Sequence, residues 1–98
     1  MIWGIGQYSA TFNEGELFAP DKYLTDYYTD EALKVIENNK NRPFFLYLPH
    51  SMPHVPLGVS SQFKGKSKQG MYGDVMMEID WSVGQIMRTL SDLSLIHI

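Results

Sequence analysis

Five consecutive apolar residues, Phe44-Phe45-Leu46-Tyr47-Leu48, are fenced by Pro43 and Pro49. The run is too short for an ordinary helix, and the prolines stop it from growing into one. A continuous apolar run of this length reads as a strand buried on both faces, the pattern of parallel sheets. The rest of the 98-residue chain offers it no matching strand. A lone strand leaves backbone N–H and C=O groups unpaired along both edges. The run therefore demands neighbours, and the expectation is that the chain is a fragment of a larger α/β domain.

The flanking segments fit that class. Residues 25–39 read as a helix, with Thr25 as the expected N-cap and Asp26 in the first turn. Tyr28, Ala32, Val35 and Ile36 recur at helical spacing, and Asn38-Asn39-Lys40-Asn41 closes the segment. After the strand, Pro49, Pro53 and Pro56 keep the first part of a long loop, 49–69, irregular. Residues 72–92 read as a second helix. Its apolar stripe is Val75, Ile79, Val83, Ile86, Leu90 and Leu93, with Asp74, Glu78, Ser82, Gln85 and Thr89 expected mostly off it. Near the start, Thr11-Phe12 and Leu17-Phe18 flank Asn13-Glu14-Gly15-Glu16, which suggests a short hairpin. Helix, buried strand, long loop, helix is an α/β order.

Composition removes several function classes. The net charge of −3, from 8 Lys+Arg against 11 Asp+Glu, gives no basic surplus for a nucleic-acid partner. With no cysteine there is no disulfide framework, thiolate metal site or cysteine nucleophile in these residues. No apolar run nears the roughly 18 residues of a membrane span. Met1 to Gly6 lacks the basic and apolar regions of a signal peptide.

The segment that carries chemistry is Pro49-His50-Ser51-Met52-Pro53-His54-Val55-Pro56. It follows the strand directly, where open α/β sheets place their ligands. The prolines limit backbone freedom, which suits His54 as a preorganised donor to an anionic oxygen. The competing reading is that either histidine only hydrogen-bonds the loop. His50 and His54 are four apart, a spacing for metal ligands on a helix, but Pro53 interrupts any helix there. No acidic residue lies between Leu46 and Met71, so no metal site is assigned. Lys64 and Lys66, with Lys68, could draw in an anionic substrate or simply form a solvated loop. Asp74 and Glu78 read as helix scaffold rather than as a catalytic pair, and the methionines, Tyr27, Tyr28 and Trp81 as packing.

Three stretches together resemble the type I sulfatases, in the arylsulfatase A and N-acetylgalactosamine-6-sulfatase branch. They are Asn41-Arg42-Pro43 through Leu57, the helix Tyr72-Gly73-Asp74 to Ile86, and the helix from Tyr23 to Lys40. The resemblance covers about residues 20–92. It implies an alkaline-phosphatase-like α/β sandwich, of which this chain carries helix, buried strand, long loop and helix. It also implies sulfate-ester hydrolysis through a formylglycine made in a Cys/Ser-x-Pro-x-Arg motif, a calcium ion held by Asp and Asn, and a sulfate contact from the Pro-His-x-Pro histidine. That last role maps onto His54; His50 sits at a variable position and could lie near the site. No proline here is followed by x-Arg, and the Asp-Asn calcium ligands are absent, so the fragment is expected to carry neither cofactor and to be inactive alone. The expected substrate is a sulfated small molecule or glycan, and the family suggests a secreted, periplasmic or lysosomal setting. A phosphatase or phosphodiesterase fragment of the same superfold, or a small non-catalytic binding domain, are the alternatives. Residues 1–92 are then expected to be a partial catalytic domain. Leu93-Ser94-Leu95-Ile96-His97-Ile98 matches the translation of a transposase adapter used in sequencing libraries, so 93–98 is expected to be an adapter-derived tail, with a natural helix end as the other reading.

Overall fold

A computed structural model describes residues 23–54 and 57–96, and the backbone of residues 2–3 and 8–9. A two-residue antiparallel pair comes first, β1 (Ile2–Trp3) and β2 (Tyr8–Ser9), with Ile2 opposite Ser9 and Trp3 opposite Tyr8. Two helices follow, α1 (Leu24–Asn38) and α2 (Gly70–Asp92), and they pack on each other. The hairpin expected around Asn13 to Glu16 lies outside the described residues.

Both helices form where their apolar periodicity places them, but α1 starts differently. Tyr23, not Thr25, holds the N-cap position, and no side chain caps the helix there. Thr25 is the second residue of the helix and is buried, because its face of the helix meets α2. At the other end Asn39 stops the helix. Its N–H and its Nδ2 both donate to the Val35 carbonyl, and Arg42 Nε donates to its Oδ1 at 2.8 Å. The Asn39 bonds satisfy the Val35 carbonyl near the helix end, and Arg42 steadies the side chain that makes one of them. α2 ends in a Schellman turn: Leu95 N–H donates to Leu90 O and Ser94 N–H to Ser91 O, with Ser94 at φ 58°.

The core is small. Leu24, Ala32, Ile36, Met52 and Val75 are its buried apolar members. Full burial of Ile36 or Val75 contributes about 1.5–3 kcal/mol each. Between them runs a polar layer that hydropathy does not foresee. Asp74, Glu78 and Ser82, expected off the buried stripe, are 4%, 1% and 0% exposed, while Val83 of that stripe is 49% exposed. The cause is the loop between the helices. Residues 57–69 form no ladder or helix of their own, so the N–H groups of Ser60, Gly65 and Ser67 need acceptors, and Asp74 and Glu78 supply them, while Ser82 is buried against Thr29 of α1 and His50.

The strand expectation needs correcting. Residues 44–48 have no ladder partner among the described residues, and they are not buried on both faces. Phe45 is 90% and Tyr47 76% exposed. Leu46, Leu48 and His50 are half-buried, so the segment alternates as an extended chain with one face covered. At the end of the half-buried row, His50 lies 3.3 Å from Ser82 on α2. The α/β layering inferred from sequence is thus not seen among the described residues.

Candidate functional site

The turn after this segment is built from three anchors. His50 and Met52 turn inward, Met52 fully, and the Met52–Pro53 peptide is cis. His54 N–H then donates to the Ser51 carbonyl at 3.2 Å, closing a tight turn. His54 itself is exposed. The two histidines are therefore separated by role: one is packed against the helices and the other is displayed. Val55 and Pro56, which complete the motif, lie outside the described residues.

His50 reaches α2. Its Nε2 lies 3.3 Å from Ser82 Oγ, which lies 2.5 Å from Thr29 Oγ1 on α1. Thr29 Oγ1 in turn donates to the Thr25 carbonyl at 2.7 Å. This row of short polar side chains ties both helices to the histidine turn. Burial holds the His50 imidazole below its usual titration range, favouring the neutral ring. Nearby, burial pushes the Tyr28 phenol up, and the Ser51 hydroxyl beside it offsets part of that.

The lysine loop docks on the same helix further toward its start. Asp74 Oδ1 accepts from Ser67 Oγ at 2.7 Å and Ser67 N–H at 3.0 Å, and Oδ2 accepts from Gly65 N–H at 2.7 Å. These donors hold the Asp74 carboxyl below the ordinary carboxylate range, the Ser67 hydroxyl most of all. Glu78 Oε1 accepts from Ser60 N–H at 2.9 Å. Phe63 packs its ring on Trp81, and Tyr23 donates its hydroxyl to the Gly58 carbonyl. Lys64, Lys66 and Lys68 all face solvent from this loop. Asp74 and Ser82 are two helical steps of four apart, about 12 Å along the axis. The lysine loop and the histidine turn are thus seated side by side on one helix.

Among the described residues no three His, Asp or Glu side chains converge as a metal site would require. No described helix is long and apolar enough to cross a membrane. Sequence reasoning missed Thr29 and Ser82, and it took Asp74 and Glu78 for scaffold without the loop they hold. The available signal was the row 74, 78, 82 itself: hydrogen-bonding residues at helical spacing, two of them carboxylates next to a loop without regular structure.

The chain matches the sulfatase family over residues 3–95. It is 41% identical over 75 residues to an N-acetylgalactosamine-6-O-sulfatase of Bacteroides thetaiotaomicron, covering 76% of this chain and 15% of that protein. It is 46% identical over 72 residues to steryl-sulfatase of Homo sapiens, 74% of this chain and 12% of that one. It is also 46% identical over 74 residues to N-acetylgalactosamine-6-sulfatase of Mus musculus, 74% of this chain and 14% of that one. The chain thus spans about a seventh of the length of these relatives.

Proposed function

The chain belongs to the sulfatase family, and on that premise we propose that it is an internal part of an enzyme that hydrolyses sulfate esters, with His54 donating to the sulfate group. The carrying observation is the turn: an exposed imidazole held by a His54 N–H to Ser51 O bond and a buried Met52, directly after an extended segment. During S–O cleavage, charge grows on the sulfate oxygens and on the departing oxygen. A donor already in place lowers the energy of that state without reorganisation. Lys64 and Lys66 add a diffuse attraction for an anionic ester. The matched relatives are named for a sulfated amino sugar and for steryl sulfates, so the substrate class is a sulfated small molecule or glycan.

The family's calcium ion and formylglycine do not fit the residues present. There is no cysteine and no Ser-x-Pro-x-Arg sequence. The buried carboxylates Asp74 and Glu78 are turned onto loop amides, not toward a shared cation. Both groups would belong to other parts of a longer protein, and the chain by itself would not turn over substrate.

The test is turnover of a generic aryl sulfate by the full-length enzyme containing this segment. His54→Ala should lower turnover by about 100- to 1,000-fold, the usual loss of one preorganised donor. His50→Ala should lower it by less than about tenfold. Circular dichroism checks that both remain folded. A folded His54→Ala enzyme with parental turnover would remove His54 from the site.

A further inference from the structure

The row Thr25–Thr29–Ser82–His50 has forced proton directions. A carbonyl oxygen can only accept, so the Thr29 hydroxyl, 2.7 Å from Thr25 O, has committed its one proton there. Thr29 Oγ1 and Ser82 Oγ are 2.5 Å apart and must share a hydrogen, which can now come only from Ser82. Ser82 then has no proton left for the imidazole 3.3 Å away, so the hydrogen between them sits on His50 Nε2. We propose that this row fixes His50 as its Nε2–H tautomer, and that His50 is a positioning residue that seats the turn while His54 alone makes the anion contact.

The consequence lies at the other ring nitrogen. With the ring neutral, as its burial favours, Nδ1 carries a bare lone pair. A lone pair repels an anionic oxygen and cannot donate to it. Nδ1 is also buried, with no hydrogen-bond partner among the described residues. His50 thus offers an anion nothing from either nitrogen: Nε2–H is spent on Ser82, and Nδ1 has the wrong polarity. What His50 supplies is orientation. It ties the start of the turn to α1 and α2 four residues before His54. The division of roles between the histidines rests on the sulfatase reading; the tautomer does not.

The experiment is long-range proton–nitrogen correlation NMR on the full-length enzyme carrying 15N-labelled histidine, with the His50 signal assigned by its loss in His50→Gln. At neutral pH the unaltered enzyme should show a protonated Nε2 and an unprotonated Nδ1 for His50. Thr29→Ser, which keeps the hydroxyl, should give the same pattern. Thr29→Val frees the Ser82 proton for Nε2, so the Nδ1–H form should become populated. An Nδ1–H or doubly protonated His50 in the unaltered enzyme overturns the proposal, and so does a folded Thr29→Val enzyme with an unchanged pattern. If Thr29→Val does not fold, the unaltered and Thr29→Ser spectra decide the tautomer. A second arm measures inorganic sulfate binding. His50→Gln should hold Kd within about threefold, and His54→Gln should weaken it by about tenfold or more, as loss of a hydrogen bond to a charged group does. A tenfold loss in folded His50→Gln overturns the division of roles. If His54→Gln leaves sulfate binding unchanged while the tautomer pattern holds, the sulfatase reading of this turn fails and the tautomer stands.

Discussion

Asp74 shows how much one side chain can organise. It accepts three hydrogen bonds from Gly65 and Ser67, and so closes the second half of a loop that has no regular structure. Its folded carboxyl titrates below the unfolded value of about 3.9. The stabilisation it gives is therefore complete above that value and is lost as pH falls through the lower, folded one; acid undoes the clamp and base does not. Asp74→Asn keeps the size but leaves at most one carbonyl acceptor. In that variant the Gly65 and Ser67 amides should exchange with solvent faster, by about tenfold, with amides inside α1 little changed. The acid-sensitive release of the loop should also flatten. Unaltered exchange at both amides would show that the loop is held by something other than this carboxylate.

At the scale of elements, the approach of the loop to α2 depends on a missing side chain. A Cβ on Gly73 would lie 2.6 Å from Ser67 Oγ and 2.7 Å from Gln69 Cβ. Neither neighbour is the far end of a flexible chain, so Gly73→Ala should cost about 1–3 kcal/mol, as overpacking does. Thermal unfolding of the full-length enzyme measures it. Combined with Asp74→Asn the two losses should fall short of additive, because both act through Ser67. Independent, additive losses would place the Gly73 effect elsewhere. The two helices were legible in the sequence because Ile36 and Val75 belong to periodic apolar rows that hydropathy detects. The histidine turn was legible because prolines bound it. The seam of Asp74, Glu78, Ser82 and Thr29 was not, since hydropathy scores a residue's own polarity and not the amides of the adjoining loop that Asp74 and Glu78 accept from, nor the hydroxyl partner that Ser82 finds on the other helix. The segment 44–48 was half legible: its extended form follows from its residues, but which faces are covered depends on neighbours outside it.

For the molecule as a whole, the exposed faces set the behaviour. Phe45 and Tyr47 stand in solvent on a segment with no ladder partner among the described residues. Such a segment invites pairing with other chains. Produced alone, the 98-residue chain should be poorly soluble or molten, with dye-accessible apolar surface and no sharp thermal transition. A soluble monomer with a cooperative melt would contradict the view that longer-protein neighbours complete this fold. The contact between Phe63 and Trp81, with ring centroids 5.8 Å apart at 56°, has an optical consequence. The chain has two tryptophans, Trp3 and Trp81. With Trp3→Phe, Trp81 becomes this segment's single indole emitter, packed against the very loop whose seating is in question. Its emission colour and quenching by added iodide would then report, without any attached label, when that loop lifts off the helix.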